Sequence, residues 1–414
     1  MAIILAGFLW LFVNGNRKII QFSSAVVAVF LLGFIIVLSS RAAFLSVIAS
    51  ALFIIYPYRN RVGKGLSLHK SFAFLLLCTL LLASVIKQNS TAGRLFIWQR
   101  SFELWKQNWL TGVGFGKFNT EYNHMQAKYF STHSITSKNA MLANDGYFAF
   151  NEWLHITIEF GIIGFIISLL ITWFVAKGCY RNVATKKSWA AAMLIPIFVG
   201  SLFSYPLHNV YILAASIFLS LFITLGTYRF PTLYDKWIKG FAVVVLISIV
   251  AFYSYRNFKA QQLFGTIKEL AREGYRNDAV ALCRNASKAL QKDYSFQLFY
   301  LNLLYQTNRL DEAEKLFDTF HSYHCNQKAH AIMAKCYEEM GDSTKAEEHY
   351  LTSLYIVPQL LQSRIELMGF YDRSNNITKA KFWAQQTINC PIKVTNSLAF
   401  YLKKQASDYL IKDQ

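Results

Sequence analysis

The stretch ITIEFGIIGFIISLLITWFVA, residues 156–176, decides the fold class. Its only charged side chain is Glu159, and every other residue is apolar or small, apart from a few hydroxyl groups. A helix that crosses a bilayer needs about 20 mostly apolar residues. This stretch therefore predicts a transmembrane helix.

Similar apolar blocks lie on both sides of this stretch, and we interpret each as a further span. Residues 1–13 are apolar but short, without a preceding basic residue or a following small-residue cleavage site, which argues against a signal peptide. We expect them to be the end of a span that begins outside this chain. The other predicted spans are residues 19–38, 42–58, 71–86, 188–203, 210–227 and 241–253.

The composition changes near residue 255. The chain is 54% hydrophobic and only 16% charged, against about 25% charged in a soluble domain, and its long apolar blocks end there. This predicts a transmembrane domain at 1–256 and a soluble domain at 257–414. The net charge of +19 lies largely in short clusters between apolar blocks, as in cytoplasmic loops. No nucleic-acid-binding module accompanies it, so we expect no nucleic-acid partner.

The basic loops predict the orientation of the spans. Three of them, at residues 17–18, 59–70 and 177–187, share one face with the 229–239 connection, and the positive-inside tendency places that face in the cytoplasm. The outward face then carries residues 39–41, the long loop 87–154, the turn 204–209 and the tail.

The tail contains an internal repeat. Four alanines recur at steps of 34, 33 and 34 residues, and a residue that tolerates a left-handed turn stands five positions before each. This pattern resembles the tetratricopeptide repeat over about residues 260–400. We consider both a concave partner-binding surface and a structural cap for it. The alanines are Ala279, Ala313, Ala346 and Ala380, and the turn residues are Gly274, Asn308, Gly341 and Asn375.

The six cysteines form no Cys-x-x-Cys pair, which argues against zinc or thioredoxin-like chemistry. Two of them lie in or beside apolar blocks, and four lie in the tail, where we predict small core residues. They are Cys78 and Cys179, then Cys283, Cys325, Cys336 and Cys390.

The outward loop at 87–154 is too long to be a simple connection, and loops on a rigid scaffold often carry sites. A stripe containing Leu95, Trp98 and Trp105 predicts a helix that lies flat in the membrane interface. Arg94 and Arg100 would then meet lipid phosphates. The glycine-rich run 112–116 lacks the spacing of a nucleotide loop and predicts a tight turn.

Arg41 stands at the predicted outer end of a span. A snorkelling anchor and a bidentate phosphate ligand are both consistent with this position.

Polar residues also mark the start of the 156–176 span. On a helix Asn151, His155 and Glu159 would share one face, and polar groups at membrane depth usually mark function. Glu152 lies nearer the loop, and His208-Asn209 lies on the same predicted face. Gly161 and Gly164 favour close helix packing.

Three motifs resemble those of the O-antigen ligase and Wzy-type polymerase superfamily. They are SRAAFL at 40–45, GRLFIW at 93–98 leading to GVG at 112–114, and Asn151 followed by Gly161-x-x-Gly164. The resemblance spans about residues 30–225. It implies an all-α, polytopic, GT-C-like membrane bundle, here followed by a soluble tetratricopeptide-repeat α-solenoid, in a bacterial inner membrane with the tail in the periplasm.

The resemblance also implies a chemistry. The donor would be an undecaprenyl-diphosphate-linked glycan, and the acceptor a hydroxyl on a lipid, a glycan or a protein. Arg41 and Arg94 would bind the diphosphate, while His155, Glu152 or Glu159 would be the catalytic base. We expect supporting roles for the remaining polar and aromatic residues, and neither a metal nor a cofactor. Those supporting residues are Asn151, Trp98, His208 and Asn209.

Three features depart from the family pattern. Trp109 stands where a proline is frequent, Phe150 replaces the histidine before Asn151, and the predicted spans are fewer than usual. A ligase, a polymerase and a protein O-oligosaccharyltransferase therefore remain open as interpretations. Two further classes are a membrane scaffold with a partner-binding tail and a transporter, which would favour charged residues at mid-span.

Overall fold

The computed structural model describes residues 1–38, 41–58, 88–227, 235–393 and 395–412. Within these ranges the chain forms α-helices, short 3₁₀ turns and connections, and no strand, which confirms the predicted all-α class. The predicted span 71–86, Cys78 and the basic segment 59–70 lie outside the described residues, as does part of the 229–239 connection. The chain divides into two compact units, which we call the membrane unit (Met1–Thr91 and Phe148–Tyr255) and the repeat unit (Ala92–Tyr147 and Arg256–Gln414).

The first ten helices include the apolar segments. Among the residues that the structure describes, three segments are long and apolar enough to cross a membrane: Lys18–Ile35, Glu152–Arg181 and Val243–Arg272. The predicted spans at 42–58, 188–203 and 210–227 form shorter apolar helices, as do the first residues of the chain. In chain order the helices are α1 Ala2–Asn14, α2 Lys18–Val37, α3 Arg41–Ile55, α4 Gln88–Gln107, α5 Phe118–Thr132, α6 Lys138–Leu142, α7 Glu152–Arg181, α8 Ser188–Ser201, α9 Val210–Thr227 and α10 Asp235–Arg272.

Small side chains allow close packing in the membrane unit. Helix α8 contacts α1, α3 and α9, and its residues Ala190, Ala191 and Ala192 are fully buried. Such small residues let helix backbones approach one another where lipid removes the usual hydrophobic driving force. Trp10 Nε1 also donates a 2.8 Å hydrogen bond to Ser188 Oγ, joining α1 to the start of α8.

The tail forms antiparallel helix pairs that follow the predicted repeat. All four predicted turn residues adopt positive φ, at 98°, 54°, 81° and 56° in chain order, and all four predicted alanines are fully buried. The repeat prediction is therefore confirmed. The helices are α11 Arg276–Ser287, α12 Tyr294–Gln306, α13 Leu310–His321, α14 Gln327–Glu339, α15 Ser343–Ile356, α16 Leu361–Arg373, α17 Ile377–Asn389 and α18 Ser397–Lys412.

Two smaller predictions are also confirmed. The four cysteines of the tail are buried and unbridged, as expected of core residues. Gly112, Gly114 and Gly116 all have positive φ, so the glycine run is a tight turn between α4 and α5. Only glycine adopts this backbone conformation at no steric cost.

Candidate functional site

The polar cluster begins where the chain enters α7. Asn151 is the N-cap residue, and its Oδ1 accepts a 3.0 Å hydrogen bond from the Leu154 amide. Such a bond satisfies one of the amides left unpaired at the start of a helix. Phe150, just before it, has a φ of 52°, a left-handed conformation that bulky residues rarely adopt. Asn151 therefore fixes the start of the helix that carries the site.

Glu152 is held by the turn that precedes α9. Its Oε1 accepts a 2.7 Å hydrogen bond from the Leu207 amide, and its Oε2 lies 3.2 Å from His208 Nδ1. Only 4% of the Glu152 side chain is exposed. Both carboxylate oxygens are thus engaged, and the carboxylate sets the orientation of the His208 ring.

A second carboxylate and imidazole pair lies one helical turn further along α7. His155 Nε2 is 3.2 Å from Glu159 Oε1 and also 3.2 Å from His208 Nε2. Both α7 residues are buried. The four side chains form a continuous line, Glu159–His155–His208–Glu152, which we call the His–Glu chain.

The contacts favour one tautomer for each of the two rings. With neutral rings, a 3.2 Å contact between two Nε2 atoms requires that one of them carry a proton. If His208 donates its Nδ1 proton to Glu152, its Nε2 is the acceptor, and the shared proton belongs to His155 Nε2. The same proton lies within reach of Glu159, so His155 has an alternative acceptor already in place.

His208 is the accessible member of the His–Glu chain. It keeps 31% of its side chain exposed, against 7% for His155. Phe148 stacks on Tyr205 with ring centroids 4.1 Å apart and meets the His208 ring edge-on at 4.6 Å. These aromatic rings cover one side of His208, and no pattern in the sequence singled them out.

Gly161 has a backbone role in addition to the predicted role in helix packing. It interrupts α7 with φ 66° and ψ −164°, two residues beyond Glu159. An L-residue with a side chain is strained at this φ. The glycine is therefore required by its backbone conformation, and not only by close packing of helices.

The other predicted site residues lie elsewhere. Asn209 Oδ1 accepts hydrogen bonds from the Tyr211 and Ile212 amides, at 3.0 and 3.3 Å, at the start of α9. Arg41 is the first residue of α3, and its side chain lies outside the described part of the chain. Arg94 and Trp98 are half-buried residues of α4, which belongs to the repeat unit. Their proposed contacts with a diphosphate remain predictions.

Residues 26–169 match the family model described as O-antigen ligase. The predicted resemblance is confirmed for this segment, which contains Arg41, Arg94, Glu152, His155 and Glu159. Together with the three long apolar helices, the match identifies a membrane protein and supports an enzyme of the glycosyltransferase type, with a ligase or polymerase role.

Two solved structures resemble this chain at low similarity. Yeast Tom70 is 12% identical with a TM-score of 0.32, over 100% of this chain and 89% of its own. The structure titled MamA MSR-1 C2 is 10% identical with a TM-score of 0.25, over 59% of this chain and 99% of its own. No curated protein sequence matches. The repeat assignment rests on the turn residues and buried alanines.

Within the repeat unit, helix α5 of the predicted outward loop packs against the repeats. Asn123 of α5 donates a 2.7 Å hydrogen bond to the Cys325 carbonyl, and Asn119 accepts one of 3.1 Å from the Cys325 amide. Gln126 donates to the carbonyls of Ile356 and Asn144, at 2.6 and 3.0 Å. These amide side chains are buried. The repeats therefore bind a segment of the same chain.

Further contacts involve the residues beside α5. Asp145 accepts a 3.0 Å hydrogen bond from Asn326, and burial of this carboxyl raises its pKa to about 6. Arg100 of α4 lies 4.2 Å from the centre of the Tyr129 ring and 2.9 Å from Glu103. The guanidinium that we expected to meet lipid phosphates therefore has partners within its own unit.

We expect Gln126→Ala to loosen the docking of α5. The change leaves two buried carbonyl groups without their donor, and each such group costs about 1–3 kcal/mol. Hydrogen exchange of the detergent-solubilised chain should show faster exchange across α5 and in residues 138–147. Lys128→Ala, at an exposed position of the same helix, is the control. Equal protection in both variants would contradict the assigned role of Gln126.

Proposed function

We propose that this chain transfers a glycan from undecaprenyl diphosphate to an acceptor hydroxyl on the outer face of the bacterial inner membrane, as an O-antigen ligase does. The observation that carries the proposal is the His–Glu chain, because two carboxylate and imidazole pairs in contact are suited to accepting and holding a proton. The family match over residues 26–169 supports the choice of reaction. The predicted loop charges favour the outer face.

His208 is the base in this proposal. Both oxygens of Glu152 are engaged, so this carboxylate orients the ring through Nδ1 and leaves Nε2 to act. The same division of labour is found between the carboxylate and the histidine of hydrolase triads. His208 is also more exposed than His155, which the sequence favoured as the base.

The His155–Glu159 pair controls whether His208 Nε2 is free to accept a proton. When an acceptor hydroxyl approaches, a small rotation of the His155 ring directs its Nε2–H to Glu159 alone, whose Oε1 is already 3.2 Å away. His208 Nε2 then becomes free to accept the hydroxyl proton. His155 and Glu159 thus act as positioning residues behind His208.

The proposed transfer proceeds in one displacement. The acceptor oxygen loses its proton to His208 Nε2 and forms a bond to the anomeric carbon of the glycan. The bond between that carbon and the diphosphate oxygen breaks, and the diphosphate leaves with the electron pair. Arg41 and Arg94, matched by motif to the family, would stabilise the charge on the leaving diphosphate.

Arg41→Lys and Arg94→Lys are each expected to lower transfer by about tenfold to a hundredfold. Lysine keeps the charge but loses the planar fork that binds two phosphate oxygens at once. Transfer would be measured in membrane vesicles at matched expression. Arg17→Lys, on the predicted cytoplasmic face, is the control. Unchanged transfer in both Arg41→Lys and Arg94→Lys would contradict the phosphate-binding role and favour arginines that only anchor their helices at the membrane surface.

Deletion of the protein, followed by profiling of surface glycans and of the lipid-linked pool, tests the proposed function. Accumulation of long glycan on the lipid is the result expected of a ligase. Accumulation of single units would instead identify a polymerase, and an unglycosylated protein would identify a protein O-oligosaccharyltransferase. If the lipid-linked glycan pool and the surface glycans are both unchanged, the proposed enzymatic function is wrong. That result would favour a scaffold whose repeats recruit partners.

The repeat tail is expected to lie outside the cytoplasm. The basic loops at 17–18, 59–70 and 177–187 fall on one side of the predicted spans, and the tail follows on the other. Alkaline phosphatase fused after residue 414 should therefore be active, and a fusion within 177–187 should be inactive. The reverse pattern would place the tail in the cytoplasm and remove the basis for an outward site.

A further inference from the structure

The docking of α5 brings together three metal-binding side chains from distant parts of the chain. His124 lies on α5, His321 is the last residue of α13, and Cys325 follows four residues later. One donor atom from each of the three lies within 4.8 Å of the others. All three belong to the repeat unit, so they form a cluster separate from the His–Glu chain.

We propose that His124, His321 and Cys325 bind a divalent transition-metal ion of the zinc class. Two imidazoles and one thiolate are ligands that zinc prefers, and three protein ligands leave a fourth position for water. No carboxylate belongs to this donor set, which disfavours calcium and magnesium. The spacing of cysteines alone gave no indication of this site, because the third ligand comes from the loop.

The spacing of the donors fits such an ion after a small adjustment. Bond lengths of about 2.0–2.3 Å in a tetrahedral site place two ligands of one zinc about 3.3–3.8 Å apart. The side chains must therefore close by about 1 Å from their 4.8 Å limit. His124 is exposed and can change rotamer, and its ring already meets His321 edge-on with centroids 4.6 Å apart.

An unused nitrogen also points to a ligand. His321 Nδ1 is buried and has no hydrogen-bond partner among the described residues. Most buried polar atoms in proteins have a partner, so such an atom needs an explanation. A metal ion bound by His321 would supply the missing partner.

Cys325 can act as a ligand only as a thiolate, which a bound cation stabilises. Cys325 is fully buried, and burial raises the pKa of its thiol. A bound dication reverses this preference, and the thiol proton then leaves to solvent. His330 Nε2 lies 3.6 Å from Cys325 Sγ, where it would help to orient the sulfur toward the ion.

The consequence of metal binding is structural. The ion would join α5 of the outward loop to the end of α13, across the contacts made by Asn119, Asn123 and Gln126. Binding to the folded arrangement stabilises it by mass action, so the loop should detach more easily when the metal is removed. This inference concerns the repeat unit and does not depend on the proposed transfer reaction.

Metal analysis of the purified full-length chain tests the site. After zinc loading and dialysis we expect about one zinc ion per chain, and cobalt substitution should give absorption bands of a thiolate-ligated tetrahedral site. His124→Ala and His321→Ala should weaken zinc affinity by more than about a hundredfold, since loss of an outer-shell partner alone costs 10–100-fold. Cys325→Ser should remove the thiolate band.

His133→Ala is the matched control, since His133 lies beside the same loop helix and its ring stacks on Tyr129. Because His124 is exposed, His124→Ala should retain the fold, which hydrogen exchange of the repeat helices would verify. A wild-type chain that binds no zinc or cobalt after loading would overturn the proposal. So would a folded His124→Ala chain with the same zinc affinity as the His133→Ala chain.

Discussion

His208→Ala is expected to lower the rate of glycan transfer by about 10²–10⁴-fold, the usual contribution of a general base, while donor binding is unchanged. The ring is oriented by Glu152 at 3.2 Å and is the most exposed member of the His–Glu chain. A residue that acts only in the transition state lowers kcat and kcat/KM together. Single-turnover transfer and donor binding, measured separately, distinguish this result from a loss of binding.

Three comparisons make the His208 result specific. His208→Gln keeps a polar side chain of similar reach but supplies no base, so it should be as impaired as the alanine variant. Glu152→Gln keeps one acceptor oxygen and loses the charge that orients the ring, so we expect a smaller loss. Ser216→Ala, on the helix that follows the turn, is the control. If His208→Ala transfers at the control rate while Glu152→Gln does not, the glutamate is the base.

His155→Ala is expected to lower transfer, with donor binding intact, by less than the roughly 10²–10⁴-fold loss expected for the base itself, because His155 positions His208 and takes no proton from the acceptor. Its ring contacts both Glu159 and His208 at 3.2 Å, so its removal breaks the His–Glu chain in the middle. It also leaves a buried carboxylate without the imidazole beside it, and such groups are costly at membrane depth. The measurement is again transfer against donor binding in reconstituted vesicles.

Because His155 contacts the base and does not itself accept the proton, the transfer rates of its variants should differ from those of the His208 variants. Glu159→Gln keeps an acceptor for the His155 proton, so its loss should be milder than that of His155→Ala. Thr157→Val serves as the control, because Thr157 is a half-buried polar residue of the same helix but does not belong to the His–Glu chain. If His155→Ala transfers at the control rate, the residue is a packing residue, and His208 works without it.

The repeat domain was readable from the sequence because its constraints are local and periodic. Each turn requires a left-handed residue, and glycine and asparagine supply it at four evenly spaced positions. Each helix pair requires a small residue where the backbones approach, which the four buried alanines provide. The pattern therefore determined both the architecture and the positions of the turns.

The site was only partly readable. The spacing of His155 and Glu159 placed them on one face of a helix, and the structure brings them into contact. The N-cap role of Asn151 was also accessible, because asparagine before the first turn of a helix is a common signal. The pairing of Glu152 with His208 could not be predicted from the sequence. It depends on the contact between the start of α7 and a distant turn, where Leu207 lies 55 residues after Glu152.

The contacts between the outward loop and the repeats could not be predicted from the sequence for the same reason. Asn119, Asn123 and Gln126 look like ordinary polar residues of an amphipathic helix, and nothing local links them to carbonyls of the repeats. The three metal-binding side chains at 124, 321 and 325 are likewise assembled by this docking. Tertiary contacts between distant segments, and not local propensity, determine both features.

Glycan transfer can be measured with the purified chain in liposomes that contain a labelled undecaprenyl-diphosphate-linked glycan. With lipid, glycan and protein acceptors offered in parallel, we expect transfer of the label to an acceptor hydroxyl, release of undecaprenyl diphosphate, and loss of both in His208→Ala. Absence of transfer to all three acceptors by a chain that binds the donor would rule out the proposed transferase. Equal transfer by the wild type and His208→Ala would contradict the role of the His–Glu chain.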